Sequence, residues 1–177
     1  MAVTIVSIFV AMVIPSIVPG IEQQLSSGAR IAASELNYAR SLAITYNSKY
    51  KVTFDMVAHQ LVIEHSGVNP TLDTLPSAPF RRPQDPADQH IVRLDSLPGF
   101  SEPIEIISAY VNSAPVQLTS NVEFSSFGQT IQANQTYVWL AAGAGNARVY
   151  IPLVIDPVTG MTTVGNMQET IPPLAGV

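Results

Sequence analysis

The chain has 177 residues, 47% of them hydrophobic and only 12% charged, with a net charge of −5 and no cysteine. That balance excludes disulfides, thiolate nucleophiles and Cys-ligated metal centres. It also leaves no basic surface on which nucleic-acid phosphates would be neutralised.

Residues 1–21, MAVTIVSIFVAMVIPSIVPGI, carry no charge; the first is Glu22. A helix needs about 20 mostly apolar residues to cross the hydrocarbon core of a bilayer, and this run is long enough. A cleaved signal peptide would want a basic flank, a shorter apolar stretch and a small-residue cleavage site. A core helix of a soluble domain would carry a polar face. The run fits a transmembrane or filament-core helix better than either, with Ile5, Ile8, Phe9, Val13 and Ile17 as its apolar contacts. Pro15 and Pro19 each remove a backbone hydrogen bond, a loss that neighbouring helices or membrane packing can absorb.

Residues 22–48 hold a helical period. Leu25, Ala29, Ala32, Leu36, Ala39 and Ala43 recur at spacings of three and four and share one face. This amphipathic segment is expected to pack its small-residue stripe on a flat surface such as a β-sheet. Glu22, Gln23, Arg30, Glu35, Arg40 and Asn47 fall mostly off the stripe, and Gly28 reads as its weak point. An unbroken helix from residue 1 to residue 48 would be about 70 Å long at 1.5 Å per residue, too long for one globular unit to bury.

The period changes from 3.6 to 2 at Tyr50, and residues 49–177 read as a β-rich globular head. Residues 50–55 and 60–65 form a hairpin. Residues 66–89 contain five prolines and no sustained period, which predicts a long surface loop suited to partner contact. Strands resume near residues 90–94, 103–111, 122–126, 137–142 and 149–155, with a last one at 161–164. Pro152 predicts that its strand lies at a sheet edge or a bulge. The Gly-rich residues 141–147 read as a hairpin turn, and Asp156 to Gly160 as a tight turn.

No cluster in the chain amounts to an active site. His59, His65 and His90 lack metal-ligand spacing and read as exposed strand or turn residues. No GxSxG elbow occurs. Arg81 and Arg82 could meet a phosphate or an acidic partner, but Asp85 and Asp88 follow within a turn, and a self-neutralised, solvated loop is the default reading. The reading is therefore of a non-enzyme with no cofactor and no metal.

Three stretches carry a family resemblance. AVTIVSIFVAMVIPSIV (residues 2–18) resembles the hydrophobic helix of the type IV pilin and pseudopilin superfamily, with its proline at Pro15. SELNYARSLAITYNSKYKVTFD (residues 34–55) is similar to the point where that family's helix runs into its first strand. VEFSSFGQ (residues 122–129) resembles its Phe-x-x-x-Gly strand-turn. Within the superfamily the chain looks most like minor pseudopilins of the GspH/FimT type. The family's basic leader, processing glycine and assembly glutamate have no counterpart among these residues, so no processing residue is carried over.

The resemblance implies an α+β fold, a long N-terminal helix on an antiparallel β-sheet or sandwich head. It also implies a structural subunit, a minor one, of a type II secretion pseudopilus or type IV pilus. Its partners would be other pilin or pseudopilin subunits, and inner-membrane lipid before assembly, with the head periplasmic or extracellular. The alternative is a bitopic inner-membrane protein whose head is a periplasmic β-rich binding module.

Overall fold

The computed structural model describes residues 20–78 and 81–170. Helix α1 spans Ile21–Thr45. Among the described residues nine strands follow: β1 Tyr50–Asp55, β2 Gln60–His65, β3 Gln89–Arg93, β4 Ile104–Val111, β5 Gln117–Leu118, β6 Asn121–Phe124, β7 Thr136–Ala142, β8 Val149–Ile155 and β9 Thr162–Val164. They form two antiparallel sheets, one in the order β3-β2-β1-β6 and the other in the order β5-β4-β7-β8-β9. The fold is α+β, with one long helix laid on antiparallel sheets.

Helix α1 ends where local chemistry stops it. Asn47 takes a positive φ of 46°. Its N–H donates to Ile44 O, and the Ser48 N–H reaches back to Ala43 O at 3.0 Å. That pair of bonds is a Schellman closure, with Asn in the left-handed position. The helical period reads through to Ser48, whereas the helix stops at Thr45, because periodicity does not register a left-handed residue.

The helix touches β1 and β6 of the first sheet and β7, β8 and β9 of the second. Leu25, Ala29, Ala32, Leu36, Ala39 and Ala43 are each fully buried at this junction. They belong to one continuous core with Val52, Leu61 and Ile63 from the first sheet and Ile104, Leu140, Leu153 and Ile155 from the second. The buried arc is wider than the alanine–leucine stripe, for Gln24, Gly28, Ala33 and Glu35 lie inside it too. Gly28 is thus no weak point. A Cβ there would stand 1.9 Å from Ile104 Cδ1, so any side chain would require the Ile104 tip to move aside.

Two further expectations are corrected. β8 is an interior strand, paired with β7 along its length and with β9 at its end. Pro152 is tolerated because its carbonyl faces away from β7 and accepts from the Gly165 N–H at 2.8 Å. In an antiparallel ladder a residue's N–H and C=O point the same way, so the absent N–H takes nothing from the β7 pairing. The histidines are not exposed either: the side chains of His65 and His90 are 0% and 1% accessible. The two-residue β5 carries no period for a sequence to show.

Among the described residues no helix is long and apolar enough to cross a membrane. The apolar positions Ile5, Ile8, Phe9, Val13, Pro15 and Ile17 lie outside the described residues.

Leu36 sits at the centre of the junction, and burying such a side chain contributes about 1.5–3 kcal/mol. Leu36→Asp places an unpaired carboxylate there, at a cost of about 3–5 kcal/mol. Thermal unfolding followed by circular dichroism is expected to show a large drop in Tm; an unchanged Tm would mean that the helix does not depend on this contact.

Candidate functional site

The helix is joined to the head by more than apolar packing. Along α1, four polar side chains each reach a different part of the head. Gln24 donates from Nε2 to Ser101 Oγ at 2.9 Å, and its Oε1 accepts from the backbone N–H groups of Ser101 and Glu102. One buried amide thus organises the loop before β4.

About three turns further along, Glu35 and His90 meet. His90 Nε2 donates to Glu35 Oε2 at 2.8 Å, with both side chains almost fully enclosed. The Tyr38 ring meets the imidazole edge-on at 5.9 Å. Burial, and after it the Glu35 charge, push the Tyr38 phenol above its ordinary range. Glu35 reads from sequence as a residue off the packing stripe. It is inside because β3 brings a donor to it, a match between residues 55 apart in the chain that periodicity cannot reveal.

Asn37 pairs with the edge of the second sheet. Its Nδ2 donates to Thr162 O at 3.3 Å and its Oδ1 accepts from Thr162 N at 3.1 Å. The amide therefore mimics one residue of a neighbouring strand and covers the open side of β9. Arg40 then bridges two loops, donating from Nε to Thr159 O at 2.6 Å and to Gly128 O at 3.3 Å. The two loops meet so closely that a Cβ on Gly160, at φ +66°, would fall 1.9 Å from Gly128 O. Asp156 shapes its own turn, accepting at Oδ1 from the N–H groups of Val158 and Thr159 and from the Thr159 hydroxyl. Those donors hold its carboxyl below the usual carboxylate range.

At the helix exit a Ser–His–Asp relay appears. Ser48 Oγ lies 2.7 Å from His65 Nε2, and His65 Nδ1 lies 2.7 Å from Asp73 Oδ1. The Asp73 carboxylate can only accept, so Nδ1–H donates to it and Nε2 accepts from the Ser48 hydroxyl. This is the hydrogen-bond order of a nucleophilic triad. Its surroundings do not fit catalysis. The Ser48 N–H is spent on Ala43 O, so it is not free to stabilise an oxyanion. The backbone at Gly67 lies directly over the pair, where a Cβ would be 2.1 Å from Ser48 Oγ and 2.7 Å from His65 Nε2. A substrate carbonyl has no approach past that backbone. What the relay does is fasten three pieces of chain: the helix exit, the end of β2, and the 3-10 turn Pro70–Leu72 that Asp73 closes.

His59, at the β1–β2 turn, ties the two sheets together. Its Nδ1 accepts from the Ile106 N–H at 3.2 Å and its carbonyl accepts from Leu94 N. Asp55 on the same turn accepts from the N–H groups of Val57 and Ala58, which lower its carboxyl pKa. All three histidines therefore have structural bonds. Among the described residues no group of His, Asp and Glu is arranged to hold a metal ion.

The long loop is anchored as well. Leu75 is buried, and its N–H donates to Ala87 O. The Arg93 guanidinium chelates Asp85 at 2.7 and 3.2 Å and is the main cause that holds the Asp85 carboxyl below its ordinary range. Arg81 and Arg82 do not take up Asp85 through their side chains: Arg81 donates to Leu75 O and Pro86 O, and Arg82 to Ser96 Oγ. The pairing expected from sequence is thus corrected in its main partner: β3 supplies the arginine that chelates the carboxylate, while Arg82 meets it through its backbone N–H and its charge.

No protein-family model and no curated protein matches the chain. Two crystal structures are similar to it. Both are of the type IV minor pilin FimU of Pseudomonas aeruginosa strain PAO1, in different crystal forms. One aligns over 87% of this chain and 96% of its own, at 16% identity and a TM-score of 0.49. The other aligns over 85% and 98%, at 18% identity and a TM-score of 0.47.

Asn37 is the tie whose removal is simplest to read, because it lies at the helix margin and serves a single strand residue. Asn37→Ala leaves the Thr162 N–H and C=O without their side-chain partner, at a cost of about 1–3 kcal/mol. Hydrogen exchange is expected to show faster exchange at the Thr162 amide and a lower Tm. Unchanged protection at that amide would mean that β9 is held by β8 alone.

Proposed function

We propose that this chain is a structural subunit, a minor one, of a type IV pilin-like filament, either a type II secretion pseudopilus or a type IV pilus. The observation that carries the reading is the junction of Leu25, Ala29, Ala32, Leu36, Ala39 and Ala43 with both sheets, at the end of a helix preceded by an uncharged apolar run. A head clamped to a helix in this way moves as one piece with whatever that helix is inserted into. The apolar run, with Ile5, Ile8, Phe9, Val13 and Ile17 at its contacts and Pro15 as its bend, would lie in the inner membrane before assembly. It would be reburied against neighbouring helices in the filament, where packing replaces lipid contact.

In this reading the partners are other pilin or pseudopilin subunits, and the head stands in the periplasm or outside the cell. The polar ties from Gln24, Glu35, Asn37 and Arg40 have a mechanical part in it. They resist peeling of the head from the helix when the filament is loaded, which apolar contact alone, being non-directional, does less well.

The natural lack of cysteine makes the test direct. Single substitutions Ile8→Cys and Phe9→Cys, expressed in the native cells with cysteine-bearing variants of the pilin-like subunits there, are expected to give cross-linked dimers. Fractionation as an uncross-linked membrane protein would instead support the bitopic anchor with a binding head.

A further inference from the structure

Only eight lysines and arginines occur in the chain, yet three of them converge on one pit. It has a volume of about 200 Å³ and is lined by Arg81, Arg82, Arg93, Ser96, Leu97 and Pro98. Two come from the long loop and one from the end of β3. Among the described residues no carboxylate lines it. In a protein of net charge −5, gathering three guanidinium groups around one hollow is electrostatically unfavourable unless something offsets it.

The three arginines differ in how far they are committed. Arg93 is chelated by Asp85, and Asp95 adds its field from the next turn of chain. Arg81 is fixed by two backbone carbonyls, which neutralise none of its charge. Arg82 is exposed; its backbone N–H donates to Asp85 Oδ2, and its guanidinium bonds only the Ser96 hydroxyl, at 3.2 Å. The pit thus has two guanidinium groups without a carboxylate partner in its wall, one of them free to turn toward a ligand.

We infer that this pit is a docking point for an acidic side chain of a partner protein, with Arg82 and Arg81 receiving its carboxylate and Leu97 and Pro98 contacting its methylene stem. Size supports the assignment. Pockets for drug-sized ligands run to about 300–1,000 Å³, so a nucleotide is too large for this one, whereas a single Asp or Glu side chain fits. The chemistry agrees, since the guanidinium fork matches a carboxylate in two parallel hydrogen bonds. The apolar wall offers nothing to a fully charged inorganic ion but does suit a carbon stem. The pit belongs to the loop of residues 66–89 and its neighbours, away from the helix junction, and the inference holds whether or not the chain assembles into a filament.

The experiment is calorimetric titration of the full chain with hexaglutamate, hexaglutamine and inorganic phosphate, at low and raised salt. Hexaglutamate is expected to bind and hexaglutamine not, with affinity falling as salt rises. Arg82→Ala should weaken hexaglutamate binding about tenfold, the equivalent of about 1.4 kcal/mol. Arg82→Lys, which keeps the charge but loses the fork, should fall between. The fold tolerates both changes, because Arg82 contributes one exposed hydrogen bond. Arg30→Ala, which removes the same charge from the exposed face of α1, is expected to have no effect. Equal losses for Arg30→Ala and Arg82→Ala would overturn the site, as would absence of hexaglutamate binding. Phosphate that binds as tightly as the peptide and displaces it would replace the acidic side chain with a free oxyanion.

Discussion

The architecture depends on how closely one helix backbone approaches two sheets. Small residues on the buried face of α1 permit that approach, and at Gly28 the Ile104 side chain occupies the space a Cβ would take. The two sheets share no strand. The helix between them unites them, together with the His59 contact to Ile106 and the bond from the Ile104 N–H to Leu94 O. Shape and cohesion therefore come from the same feature: a larger stripe would hold the sheets off, and a more polar one would lose the core.

Close packing alone would still leave the helix free to slide or roll, since apolar contacts are weakly directional. The polar ties remove that freedom. Gln24, Glu35, Asn37 and Arg40 reach the loop before β4, strand β3, strand β9 and the paired loops around Gly128 and Gly160, respectively. Each tie satisfies backbone or side-chain groups that would otherwise be buried or left at an edge. At the exit, the Ser48–His65–Asp73 relay fixes the angle at which the chain leaves the helix and holds the first part of the long loop. Its resemblance to a catalytic triad shows how little a hydrogen-bond order means without an approach path and an oxyanion donor.

The helix and its packing stripe were legible because both obey a local period, and the hairpin of β1 and β2 was legible for the same reason. What escaped was set by residues far apart in sequence. Glu35 and His90 read as solvent-facing until β3 is seen to pass beneath the helix. Pro152 reads as an edge signal because a sequence does not say toward which neighbour its missing N–H points. Asp85 reads as the counter-charge of Arg81 and Arg82, whereas Arg93 from β3 takes it. The helix end was missed by three residues because Asn47 is helix-compatible by pattern and left-handed in fact. In each case the deciding partner is non-local, or the deciding variable is a backbone angle.

The shared core and the four polar ties require helix and head to open as one cooperative unit. Native-state hydrogen exchange on the α1 amides between Leu25 and Ala43, compared with those of β7 and β8, measures this directly. Both groups are expected to exchange through the same global opening, with equal free energies and equal denaturant dependence. Helix amides that open at lower free energy while the sheets stay protected would contradict it, for the helix would then be an appendage resting on an independent head.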